Sequence, residues 1–299
     1  LSSALVIENI SKSYGPIKAL QGVSFSVPEG SVFGILGPNG SGKTTLLATV
    51  LDILVADAGS YSWLGGLPPH DARKKIGALL ETPNFYHYMS AMDNLAITAA
   101  IRQAGSADRE RVLKTVGLYE RKDSKFQTYS LGMKQRLAIG AALLGNPRIL
   151  VLDEPTNGLD PNGIAEIRQL VRDLSKQGIT IIIASHLLDE VEKVCTHVAI
   201  LKKGNRLVSG PVNEVLINED LVEVAAGDMS ALQRTLQQMP GVKTVTAADQ
   251  ILQLTVDAVT TQAINDHCFR NGITLSHLTV KKKSLETKFM ELTNEPSKN

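Results

Sequence analysis

The chain has 299 residues, 43% hydrophobic and 20% charged, enough apolar material for one large domain or two of ordinary size. A formal net charge of +1 argues against a general nucleic-acid binder, which would carry a clear basic excess, so no nucleic-acid partner is expected. Cys195 and Cys268 form no CxxC pair, no apolar run approaches the ~18 residues of a membrane span, and LSSALVIENI is no leader peptide, which together predict a soluble intracellular protein.

Residues 4–35 alternate strand-like segments (ALVIENI, GVSFSV, SVFGIL) with turn residues such as Tyr14-Gly15-Pro16 and Pro28-Glu29-Gly30. GPNGSGKTTLL follows, from Gly37 to Leu47, between an apolar run and a helical periodicity. Gly37, Gly42, Lys43 and Thr44 satisfy GxxxxGK[ST], the phosphate-binding loop. Its glycines let the backbone N–H groups of Gly37, Pro38, Asn39, Gly40, Ser41 and Gly42 (proline excepted, which has none) turn inward as an anion nest at a helix N-terminus. Lys43 is expected to reach the β- and γ-phosphates and the Thr44 hydroxyl to ligate Mg²⁺, while Thr45 could add a phosphate hydrogen bond.

Further on, TPNFYHYM puts Phe85, Tyr86 and Tyr88 within four residues of a chain that is 4% aromatic. Pro83 and Asn84 disfavour a continuous helix there, so at least one ring is expected to face outward, and Phe85 with Tyr88 to grip a partner. Residues 91–146 show helical spacing, as in DNLAITAAI and RERVLKTVGL. RILVLDEP (Arg148 to Pro155) is an apolar strand ending in two carboxylates, as a buried parallel strand with its functional end at the sheet's carboxyl edge should read. Asp153 would hold Mg²⁺, directly or through water; Glu154 is positioned either to take a proton from an attacking water or simply to cap the loop before Pro155. From 148 to 210, strands alternate with the helix IAEIRQLVRDLSKQ, as in a parallel α/β core. After Leu216 the pattern reads β-α-β-β-α-β, from LVEVAA to ITLSHLTV, followed by a helix over SLETKFMELT. The run Lys281-Lys282-Lys283 is read as a solvated strand end.

With both nucleotide motifs in hand, residues 4–217 resemble the ATP-binding cassette (ABC) family. The resemblance implies an α/β phosphate-loop NTPase fold: a parallel core sheet, an antiparallel β subdomain and a helical subdomain at about 91–146, all within residues 1–217. A small ferredoxin-like α+β domain would occupy 218–299. YSLGMKQR (Tyr129 to Arg136) is similar to the family's signature motif, with Ser130 and Gly132 keeping the hydroxyl and the close-approach backbone at a helix N-terminus. NGLDP (Asn157 to Pro161) resembles the D-loop, which implies nucleotide contact by Asp160, and His186 in IIIASH resembles the switch histidine. Tyr14 matches the aromatic that stacks on adenine. In ARKKIGALLETPNFY the Q-loop glutamine is replaced by Glu81, which can still supply an oxygen near Mg²⁺ but adds a negative charge close to Glu154 and Asp153. SLGMKQR and ETPNFY look like the ATPases of ABC-2 type exporters, in the bacitracin-resistance and gliding branch.

The resemblance implies an ATPase using ATP and Mg²⁺, in which two copies form a nucleotide-dependent homodimer and energise a separate transmembrane permease from the cytoplasmic face of the inner membrane. The competing readings are a soluble translation or DNA-repair ATPase, for which neither a second cassette nor a long coiled coil is present, and an importer ATPase, against which the signature and the C-terminal region argue.

Overall fold

In the computed structural model the described residues are 2–80, 83–216, 220–257, 259–281 and 289. The chain divides into two units, Leu1–Val212 and Asn213–Asn299. The first unit begins with β1 (Ser3–Tyr14), β2 (Ile17–Pro28), β3 (Val32–Leu36), α1 (Lys43–Val50), β4 (Ala58–Trp63), α2 (Pro69–Lys74) and β5 (Ile76–Leu79). The helical stretch follows as α3 (Ala91–Arg102), α4 (Ser106–Thr115) and α5 (Leu131–Ala142), with short 3-10 turns at Tyr119–Arg121 and Phe126–Thr128. The unit continues through β6 (Ile149–Asp153), α6 (Pro161–Lys176), β7 (Thr180–Ser185), α7 (Leu188–Glu192), β8 (His197–Lys202) and β9 (Asn205–Pro211), and α8 (Val212–Leu216) leads out of it.

Two sheets form its core. β2-β1-β4 is antiparallel, and β5-β6-β7-β3-β8-β9 is parallel except for the closing β8–β9 pair. β3, β6 and β7 are buried at every position, as strands covered on both faces must be, which is why VFGIL, ILVLD and TIIIAS read as unbroken apolar or small runs rather than as alternations. Because β6, β7 and β3 are neighbours, the loops after three consecutive sheet positions open at one carboxyl edge, the usual place for a ligand crevice in a parallel sheet. Phe33, Ile35, Leu46, Leu47, Val151 and Ile182 pack within the same buried cluster, so α1 is fixed against the strands on either side of it.

The second unit comprises β10 (Asp220–Ala226), α9 (Met229–Gln237), β11 (Val242–Ala248), β12 (Ile251–Val256), α10 (Thr261–Arg270) and β13 (Leu275–Lys281). Its sheet runs β11-β12-β10-β13, antiparallel throughout, the ferredoxin-like order expected from the β-α-β-β-α-β pattern. Val222, Val224, Leu252 and Leu254 share a small core with Leu232 and Leu236 of α9 and with Ile264 and Cys268 of α10. Each helix begins on a side-chain cap, Asp228 accepting from Ala231 N and Thr260 from Ala263 N. Lys281 ends β13; Lys282, Lys283 and the expected final helix lie outside the described residues, apart from residue 289.

Candidate functional site

The loop between β3 and α1 bends as its glycines allow. Gly37, Gly40 and Gly42 have φ of 157°, 77° and 105°. A Cβ on Gly42 would lie 2.5 Å from the Ala19 carbonyl oxygen, and one on Gly37 would strike the Leu201 carbonyl and the Ser41 hydroxyl, so neither position has room for a side chain. Gly40 has nothing within 4 Å of where a Cβ would stand. Ser41 is buried and its hydroxyl has no hydrogen-bond partner among the described residues. Asn39, Gly40, Gly42, Lys43, Thr44, Thr45 and Glu154 line a cavity of about 200 Å³. Gly42 begins α1 without any side-chain cap, which leaves the positive end of the helix and its first N–H groups to this cavity.

Lys43 is 6% exposed and bridges the loop to its opposite wall. Its Nζ donates to the Gly37 carbonyl at 2.8 Å and lies 3.3 Å from Glu154 Oε1. The Thr44 hydroxyl donates to Asp153 Oδ2 at 2.8 Å, joining positions 109 residues apart. A hydroxyl and a carboxylate so placed suit a hard cation that also takes phosphate oxygens, so Thr44 and Asp153 are the residues here that could hold Mg²⁺.

Asp153 and Glu154 are neighbours in sequence but serve different partners. Asp153 faces Thr44, whereas Glu154, at φ 48°, turns its carboxylate to Lys43 and to His186, whose Nδ1 lies 2.8 Å from Oε2. That left-handed backbone is uncommon for a side chain with a Cβ, and it is held by the Glu154 N–H donating to the Ala184 carbonyl at 2.9 Å. Phosphate loop, carboxylate pair and histidine thus meet at the carboxyl ends of β3, β6 and β7.

The remaining sequence-derived residues are dispersed. Tyr14 stands at the tip of the β1–β2 hairpin, 46% exposed, with Lys12 Nζ 5.9 Å from its ring centre. That hairpin also supplies Ala19, which abuts Gly42, so the ring stands on the element that walls the phosphate loop. Ser130 is exposed and caps α5, accepting from Met133 N at 3.3 Å. Gly132 follows in the first turn, where the nearest atom to a Cβ would be Gly163 Cα at 3.9 Å. Asp160 caps α6 by accepting from Gly163 N at 2.9 Å. Tyr129 is buried and donates its hydroxyl to the Arg121 carbonyl at 2.7 Å; burial raises its pKa, which keeps the phenol protonated for that bond. Glu81 lies outside the described residues.

The aromatic segment divides by exposure. Phe85 is half-buried and meets Phe126 edge-on at 5.1 Å between ring centres, so one face of the ring is taken up within the fold. Tyr86 and Tyr88 are the outward rings, 52% and 69% exposed and 6.0 Å apart. Asn94 organises the turn: its buried side chain accepts from Tyr86 N and donates to the Tyr86 and Ser90 carbonyls. Sequence reasoning missed Asn94; the available signal was a polar residue among the apolar positions of DNLAITAAI. Ile97 and Ile101, four residues apart and hence on one side of α3, are also exposed.

A family model described as "ABC transporter" matches residues 20–157. The bacitracin transport ATP-binding protein of Enterococcus faecalis is 33% identical over 291 residues, covering 95% of this chain and 94% of that one. Among solved structures, the ADP conformation of an ATP-binding cassette of an ABC transporter aligns with a TM-score of 0.65 at 30% identity, over 72% of this chain and 93% of the other. A dimeric cassette in a post-hydrolysis state, bound to ADP and Pi, aligns with a TM-score of 0.61 at 26% identity, over 70% of this chain and 98% of the other.

Proposed function

The chain belongs to the ABC transporter family, in the bacitracin-resistance type of its ATPases, and from that premise we propose that it is the ATP-hydrolysing subunit of a bacterial exporter. The observation that carries the reading is the convergence of Lys43, Thr44, Asp153, Glu154 and His186 at the carboxyl ends of three adjacent strands. The nest from Gly37 to Gly42 receives the phosphates, Lys43 neutralises the β- and γ-phosphates, Thr45 adds a hydrogen bond, and Tyr14 stacks on the base. Thr44 and Asp153, together with Glu81 as the resemblance implies, would hold Mg²⁺, which when bound would supply charge neutralisation on the phosphoryl group. Glu154 takes the proton of the attacking water, its carboxylate oriented by His186, and the products are ADP and phosphate.

Ser130 and Gly132 stand outside this cluster, and the dimeric cassette to which the chain is similar supports their use in trans. Two copies close head to tail, each nucleotide lying between Lys43 and Thr44 of one copy and Ser130, Gly132 and Asp160 of the other. Hydrolysis reopens the pair. Among the described residues no helix is long and apolar enough to cross a membrane, so a separate permease supplies the path and the cassette sits peripherally on the cytoplasmic face. Tyr86 and Tyr88, with Ile97 and Ile101 of α3, give the permease an exposed apolar surface.

Glu154→Gln tests the centre of the reading. It should still bind MgATP, lose turnover by about a hundredfold to ten-thousandfold, and collect as a dimer on size-exclusion chromatography with ATP. Near-normal turnover in the variant would remove Glu154 from the role of base. Recovery of a polytopic membrane protein with the tagged chain from mild detergent would separate the transporter reading from a non-transport ATPase.

A further inference from the structure

The helix that carries Ser130 and Gly132 meets the core's α6 in an unusual way. At their N-terminal ends α5 and α6 approach backbone to backbone. Gly132 faces Gly163, and Leu131 covers Gly158, whose Cβ would stand 3.4 Å from the leucine Cδ2. One turn further on, the helices part around a cleft of about 370 Å³ lined by Thr115, Val116, Gln169, Asp173 and Gln177. Val116, Leu170 and Leu174 supply apolar wall beside these polar groups, and the room left between the helices is where Arg136 crosses.

Arg136 stands in this cleft as a strut. It is the last residue of YSLGMKQR, 19% exposed, and lies one helical turn beyond Gly132. Its Nη1 donates to the Val116 carbonyl at 3.1 Å and reaches toward that of Gly117 at 3.5 Å, capping the C-terminal end of α4. Its Nε is buried with no hydrogen-bond partner among the described residues and lies 3.4 Å from Glu166 Oε2 of α6, an ion pair rather than a hydrogen bond. Gly117 makes room for it: φ there is +67°, and a Cβ would lie 3.1 Å from Arg136 Nη1. One guanidinium therefore ties the end of α4, the signature helix α5 and the D-loop helix α6, and its planar fork suits divergent acceptors better than an ammonium would.

We propose that Arg136 and Glu166 are positioning residues: a clasp that sets the angle between α5 and α6 and so aims Ser130 and Gly132 at the nucleotide held by a second copy. The proposal rests on the shared-site reading above. Neither residue touches the Lys43–Thr44 pocket, so the clasp acts on assembly of the site and not on the first capture of ATP. A half-exposed carboxylate makes the pair weak as a source of stability, because solvent screens it; its effect is one of orientation.

The test is a double-mutant cycle in the full chain carrying Glu154→Gln. Two quantities are read: ATP affinity by titration under dilute conditions, and the ATP concentration giving half-maximal dimer. Glu166→Gln should raise the second by about threefold, within the range of such ion pairs, and leave the first unchanged. Glu166→Lys, which opposes Arg136 with a like charge, should raise it further. Arg136→Gln should raise it more than Glu166→Gln because it also frees the Val116 carbonyl, and Glu166→Gln should then add nothing. If Arg136→Gln does not fold, the ordering Glu166→Lys above Glu166→Gln above parent decides alone. Glu166 variants that dimerise like the parent, or that lose ATP affinity in step with dimerisation, would overturn the clasp. A parent that never dimerises with ATP would instead overturn the shared-site reading beneath it.

Discussion

The two regions proposed to meet the nucleotide are built differently. The phosphate loop is closed on itself: Lys43 reaches Gly37 and Glu154, Thr44 reaches Asp153, and Glu154 reaches His186, all within one cluster at the carboxyl edge of a buried sheet. The signature turn is open. Ser130 is exposed with its hydroxyl on its own helix cap, and among the described residues outside its own helix, Gly163 alone comes within 4 Å of where a Cβ on Gly132 would stand. A region whose polar groups already converge can grip a ligand by itself; one whose backbone N–H groups face outward from a helix N-terminus acts on something brought to it. On the shared-site proposal, this contrast makes ATP capture and site completion separable steps.

The sharpest way to break that contrast is to damage each region alone. Lys43→Ala should lower ATP affinity by roughly tenfold to a hundredfold, the scale of hydrogen bonds to charged groups, and lower turnover with it. Calorimetry showing unaltered affinity would count against the loop. Gly132→Val should leave the affinity of dilute protein intact and lose ATP-dependent dimerisation, because its branches would press on the Gly163 backbone of α6 and shift the α5 N-terminus. Parallel loss of both quantities would mean that the two regions are not separable.

Tyr14→Ala is expected to weaken ATP binding by about 1 kcal/mol, near fivefold, the low end for base–aromatic stacking because the ring is half exposed. Wild-type affinity in this variant would make Tyr14 a hairpin-tip packing residue. The smallest effect on the isolated chain concerns the aromatic segment, where burial separates two rings three residues apart. Phe85→Ala should lower the melting temperature by several degrees through loss of its contact with Phe126, whereas Tyr88→Ala should leave melting unchanged and weaken recovery of the permease. The opposite pattern would return Phe85 to the surface.

Tyr129 shows why one residue's fate stays hidden in a motif. In the sequence it is only the first residue of YSLGMKQR; in the structure its ring leans on Phe126, 6.2 Å between centres, and its hydroxyl serves the Arg121 carbonyl. Phe126 in turn receives Phe85 and His87, so a segment forty residues away decides where the signature's first ring goes. No spacing within YSLGMKQR carries that information.

What the sequence by itself determined is what local covalent geometry and strand burial dictate. Glycines where the phosphate loop must bend, hydroxyls and a lysine at the start of α1, and carboxylates at the end of an apolar strand are requirements of a few adjacent residues, and they appear as a contiguous string. The β-α-β-β-α-β order of the second unit was equally legible, because alternation and helical period survive whatever the strands pair with. Only the tertiary structure decided that Glu154 turns to Lys43 and His186, that Phe85 packs on Phe126 while Tyr86 and Tyr88 are exposed, and that Arg136 meets Glu166 across a cleft. Those outcomes depend on which surfaces of distant elements come together, and a periodicity records the side of an element that is apolar without recording the neighbour it will face.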